Sequence, residues 1–177
     1  EAGNTTEFTD WDSLVVIDVA APDNFTVGDI TPTGGFVQSG FWNGTNTEFE
    51  TNIDIPNDNN LAGGSVTLLG KIDENIFSIL GSSNPIVGGE IGTTKIVTLT
   101  SSEVTNLTDF ANGGIIHISA IMTDVAGNST QGTESGNTLE IDTSSATVTE
   151  VTSSELEGTY DIGSEIDLTV SFSSILT

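Results

Sequence analysis

Between residues 49 and 141 apolar side chains fall on every second position in five runs: Phe49 to Ile55, Val66 to Ile72, Lys95 to Thr100, Ile115 to Met122 and Leu139 to Ile141. A period of two places such residues on one face of an extended chain, so each run predicts a half-buried strand. Clusters of Gly, Asn, Asp and Pro separate the runs and supply the turns. A sixth apolar run is expected over Tyr160 to Phe172. No stretch sustains the helical period, and β-branched Thr, Val and Ile dominate. One short helical turn is expected at Ser102 to Leu107, capped by Ser101 or Ser102 and containing Glu103, ahead of the penultimate strand. The spacing of strands and turns predicts an all-β fold of the sandwich type.

The chain also repeats itself. Laying residue 1 over residue 125 without gaps pairs Ala2-Gly3-Asn4-Thr5-Thr6 with Ala126-Gly127-Asn128-Ser129-Thr130, and Ile17-Asp18 with Ile141-Asp142. Two separate anchors at one offset argue for a structural period rather than chance similarity in low-complexity text. The period parses the chain into residues 1–18, the last strand of a preceding module; 19–142, a complete module; and 143–177, the opening strands of a following one.

Charge narrows the partners. Against 26 Asp and Glu stand only Lys71 and Lys95, giving a formal net charge of −24 in 177 residues. Nucleic acid is excluded as a partner, because binding its phosphates depends on Lys and Arg displacing counterions. No apolar run is long enough to insert this segment into a bilayer. With no cysteine there is no disulfide framework and no thiolate chemistry, so stability rests on packing or on ions. Uncompensated negative charge repels itself, and calcium, which takes oxygen ligands, is the cation such a chain is equipped to hold. Solubility is the simpler use of the same acids.

Several segments carry a family likeness. Trp42-Asn43-Gly44-Thr45-Asn46-Thr47, Thr93-Thr94-Lys95, Thr123-Asp124-Val125-Ala126-Gly127-Asn128 and the linker Ile17-Asp18-Val19-Ala20-Ala21-Pro22 resemble the immunoglobulin-like repeat modules of large bacterial surface proteins and adhesins. The segment from Ser153 to Ser173 is similar to the opening hairpin of a related module type. Asp142-Thr143-Ser144-Ser145-Ala146 keeps the linker's Asp but lacks its proline. The resemblance implies an immunoglobulin-like β-sandwich in a tandem array, flanked by partial modules, at an extracellular or cell-surface location. It speaks to architecture and leaves the ligand open, since the fold hosts many functions.

In an immunoglobulin-like strand order, the loop Pro56 to Asn60 and the loop Asp124 to Asn128 lie at the end where Asp18 brings the chain in. Oxygens of Asp18, Asp58, Asp124 and Asn128 would then converge on a calcium ion that stiffens the joint, with Asp142 taking the part of Asp18 at the next joint. The competing reading is that Asp and Asn stand in these loops because they make good turns and caps.

Other candidates carry less chemistry. His117 is the only histidine, on a strand face with Ile115, Ser119 and Ile121, opposite Ile116, Ile118, Ala120 and Met122; without a second His or a Cys it reads as structural. Lys95 shares parity with Val97 and Leu99, which places it at the inward face; a snorkelling strand lysine is the expectation over an isopeptide crosslink. Trp11, Phe41 and Trp42 could present rings to a sugar or fill a core. The carboxylate pairs Asp73 with Glu74 and Asp10 with Asp12 lack the cleft and partner groups of a hydrolase.

The sequence therefore predicts a non-enzymatic segment with three readings: a stalk or adhesin spacer bound to neighbouring modules of the same protein, a filament or sheath subunit joined by strand addition, and a carbohydrate-binding module for host or matrix glycans.

Overall fold

The computed structural model describes residues 17–173. Its elements run in the order β1 (Thr31–Thr33), β2 (Phe41–Asn43), β3 (Glu48–Asp54), β4 (Ser65–Ile72), β5 (Ser78–Pro85), β6 (Thr94–Thr100), α1 (Ser101–Thr105), β7 (Ile115–Thr123), β8 (Ser129–Gln131), β9 (Leu139–Asp142), β10 (Val148–Ser153) and β11 (Leu168–Phe172). The alternating runs are the long strands. In β3, for example, Phe49, Thr51 and Ile53 are buried while their neighbours are exposed.

Strands β1, β3 and β6 form one antiparallel sheet in that order. A second sheet runs β2-β9-β7-β4-β5, with β8 folded back on β7. Within it β4 and β7 pair along eight positions, from Ser65↔Thr123 to Ile72↔Ile116, and β2 lies parallel to β9 with Trp42 beside Ile141. Both sheets feed one buried cluster: Phe49, Ile53, Val97 and Leu99 from the first, Val66, Leu68, Ile116, Ile118, Met122 and Ile141 from the second. This gives a two-sheet, sandwich-like β body. Each such side chain taken out of water contributes about 1.5–3 kcal/mol before entropy is counted. Trp42, 1% exposed, packs edge-on against Phe49 with ring centroids 6.2 Å apart. Every residue of the cluster lies between Phe25 and Ile141.

Three elements differ from the sequence expectation. The helical turn is capped one residue earlier than expected: Thr100 is the N-cap residue, and its main-chain N–H donates to Glu103 Oε2 at 2.8 Å, satisfying one orphan donor at the helix start, while its hydroxyl donates to the same oxygen at 2.8 Å. The run expected over Tyr160 to Phe172 is a strand only at Leu168–Phe172, because Asp161, Gly163 and Ser164 form a turn closed by Ser164 N–H to the Asp161 carbonyl. β5, with the sequence Ser-Ile-Leu-Gly-Ser-Ser-Asn-Pro, buries only Leu80 and was not expected.

Beyond Asp142 the chain forms the antiparallel hairpin β10–β11, with Val148 opposite Phe172 and Val151 opposite Val170. Cross-strand partners share a face, so these four and Leu168 make one apolar face. All five are exposed.

Candidate functional site

The two ends of β7 are where the chain enters and leaves the packed body. At the incoming end, Asp18 turns its carboxylate back onto its own chain, Oδ1 accepting the Ala20 N–H at 3.0 Å. Asn128, in the turn after β7, donates its side-chain amide to the Asp18 carbonyl (3.2 Å) and to Asp124 Oδ2 (3.0 Å). Two residues on, the Thr130 hydroxyl donates to the Pro22 carbonyl at 2.6 Å. Asp124 Oδ1 accepts the N–H groups of Ala126 and Asn128, each at 2.9 Å, the short-range pattern that Asp makes readily in turns. The Val125 N–H donates to the Asn60 carbonyl, and Asp58 Oδ1 accepts the Asn60 N–H at 2.9 Å. The segments 18–22, 58–60 and 124–130 therefore meet at one end of the body.

Hydrogen bonds hold Asp124 below the usual carboxylate range. The Asn128 side-chain amide is the largest cause; burial acts the other way, and the main-chain N–H groups of Asn128, Ala126 and Gly127 add to the lowering. Gly64 allows the close approach here, since a Cβ on it would stand 2.1 Å from the Thr123 carbonyl oxygen.

At the outgoing end, Asn112 lies in the loop leading to β7, and its Oδ1 accepts the N–H of Thr143 (2.9 Å) and of Ser144 (3.3 Å). Asp142 Oδ1 accepts the Ser144 N–H at 3.2 Å and the Ser144 hydroxyl at 2.7 Å. Asp18 and Asp142, 124 residues apart, thus form the same local turn with the residue two positions on. Nine residues of β7 separate the two ends, a span of roughly 27 Å at strand rise.

Calcium needs about six to eight oxygens converging on one point. The carboxylates expected to supply them already accept hydrogen bonds on one or both oxygens. Asp18, Asp58 and Asp142 each accept an N–H two positions on, both oxygens of Asp124 face N–H donors, and Asn128 presents its N–H side to the centre of the cluster. Asp142 holds the opposite end of β7. Among the described residues, no three His, Asp or Glu side chains are grouped to hold a metal ion.

The remaining candidates are placed as follows. His117 Nδ1 lies 3.3 Å from Glu134 Oε2, and Lys71 Nζ lies 3.4 Å from Oε1 of the same carboxylate; Lys71 also sits over the Phe77 ring, 4.8 Å from its centroid. This group ties the loop before β9 to the outer face of the large sheet, and with Glu134 half exposed it contributes little stability. Lys95 shares the inward face with Val97 and Leu99, opposite buried Ile53, and carries its ammonium outward: Nζ reaches Glu90 Oε1 at 2.6 Å, a bond that holds Glu90 below the usual carboxylate range. Trp42 is buried and cannot serve a sugar platform. The segment after it staples a loop, with Asn46 Oδ1 accepting the Asn43 N–H at 2.8 Å and Asn46 Nδ2 donating to the Gly34 and Phe36 carbonyls at 3.1 Å. Asp73 Oδ1 accepts the Ile115 N–H, a structural task. Trp11, Asp10 and Asp12 lie outside the described residues, as does most of the expected strand at 1–18.

Sequence reasoning missed Thr130 and Asn112. Thr130 carried a signal, since it recurs as Thr6 in the repeat; Asn112 stands in a Gly-rich loop that reads as turn alone. No protein-family model matches the chain, and no curated protein matches it.

Proposed function

We propose that residues 19–142 are one immunoglobulin-like module of a tandem extracellular array, serving as an in-line spacer in a cell-surface stalk or adhesin and not as an enzyme. The observation that carries this is the placement of the two linkers at opposite ends of β7, held by Asn128 and Thr130 at one end and by Asn112 at the other. A body whose chain enters at one end and leaves at the other adds its length to an array. The strand order supports the immunoglobulin-like assignment: β1-β3-β6 packs against β2-β9-β7-β4-β5, and the first part of the chain contributes to both sheets.

The matching turns at Asp18 and Asp142 support the 124-residue period. The neighbours in such an array are further modules of the same protein, and Ile17, Val19 and Val125 are exposed at the incoming end, where a preceding module would cover them. Small-angle scattering of a chain with three consecutive periods tests the reading. The maximum dimension should grow by a fixed increment per period, and a compact particle would contradict it.

A second reading, a filament or sheath subunit joined by strand addition, is favoured by the hairpin β10–β11, whose apolar face is exposed and which pairs with no further strand among the described residues. Electron microscopy of the native material separates the two, because beaded threads fit a stalk and helical order fits a filament.

A further inference from the structure

We infer that the joint ahead of residue 19 is fixed by a hydrogen-bonded clasp, Asn128 and Thr130 on the incoming chain, that works without a metal ion. This rests on the spacer reading for its purpose, though not for its geometry. The place that a cation would fill between Asp124 and the Asp18 carbonyl is bridged by one amide nitrogen, Asn128 Nδ2, donating to both oxygens at 3.0 and 3.2 Å. An amide with two protons matches two acceptors as a cation would. The acceptor on one side is a carboxylate, which strengthens that bond.

Three observations make the clasp a built device. Asp124 orients the donor, because it also accepts the main-chain N–H of Asn128 and is itself fixed by the Ala126 N–H. Thr130 adds a second, independent grip on the Pro22 carbonyl, and Pro22 is buried where it is gripped. The sequence repeats both clasp residues at the 124-residue offset, as Asn4 and Thr6. A clasp whose donors are neutral side chains already satisfies the Asp124 carboxylate in a chain of charge −24, and so holds the joint at any calcium level.

The test is amide hydrogen exchange and backbone relaxation by NMR on the full 177-residue chain, in chelator and in millimolar calcium. In the wild type, exchange at Ala20 should differ by less than twofold between the two conditions. Asn128→Ala should speed it about tenfold, the loss of one to two hydrogen bonds, and lower the order of Val19 and Ala20. Thr130→Val leaves the turn 124–128 intact and should loosen Ala21 and Asp23, with Thr130→Ser restoring them. If chelator alone loosens the wild-type linker as much as Asn128→Ala does, an ion holds the joint and the clasp is overturned. Unchanged exchange in both Asn128→Ala and Thr130→Val overturns it equally. A compact three-period particle would sink the spacer reading while leaving a tight, calcium-indifferent linker in place, so the two failures are distinct.

Discussion

The side-chain amide of Asn128 reaches the main-chain carbonyl of Asp18 at 3.2 Å across 110 positions of sequence. That bond carries the path of the linker into the folded body, and its partner Asp124 supplies the first testable consequence. Because the folded Asp124 carboxyl is harder to protonate than an unfolded one, its contribution is fully present above the ordinary carboxylate range, about pH 4. It is lost as pH falls below that range. The other acids complicate the raw curve, since their mutual repulsion fades on acidification. The informative quantity is the difference between wild type and Asp124→Asn. Asp124→Asn should melt lower at pH 6, and the gap should close by pH 2.5; a gap that stays constant with pH would contradict the role given to the carboxylate.

The long strands were legible because one residue in two must face the core. Phe49, Ile53, Val66, Leu68, Ile116 and Ile118 all obey that rule. Strands β1, β2 and β8 have three residues each, too few to show a period, and β5 hides its strand because as an edge it buries only Leu80. At the joint, the immunoglobulin-like strand order implied by the resemblance placed Asp18, Asp58 and Asn128 near one another. It could not show polarity, because an asparagine offers a carbonyl to a cation or an amide to a carbonyl with equal ease. Which end faces the cluster depends on Asp124 and the Asp18 carbonyl, groups brought there by the fold.

Trp42 belongs to the core and not to a sugar site. Trp42→Ala should cost about 3–5 kcal/mol, as for other large buried rings, read as a fall in the midpoint of denaturant unfolding. Trp42→Phe should cost clearly less, because Phe keeps part of the edge contact with Phe49. A loss below about 1 kcal/mol in Trp42→Ala would mean that the ring is not packed as described.

The hairpin β10–β11 shares no buried residue with the body. Val170→Glu should therefore leave the unfolding of the body unchanged within about 0.5 kcal/mol. Under the filament reading the same variant should abolish concentration-dependent assembly in sedimentation. A large loss of stability in the body would show that the hairpin is part of the same cooperative unit.

The spacer claim is tested most directly by the distance between the two linkers. The chain has no cysteine, so Ala20→Cys and Thr143→Cys can be spin-labelled without competing sites, and neither change removes a main-chain N–H. Pulsed electron spin resonance should give a single narrow distribution near the length of β7, roughly 30 Å allowing for the labels. It should be the same in chelator and in calcium, and Asn128→Ala should broaden it. A short distance would place both linkers at one end of the body, and a broad or calcium-dependent one in the wild type would mean that the joint is not held by its own side chains. Either result would contradict an in-line spacer with a built-in clasp.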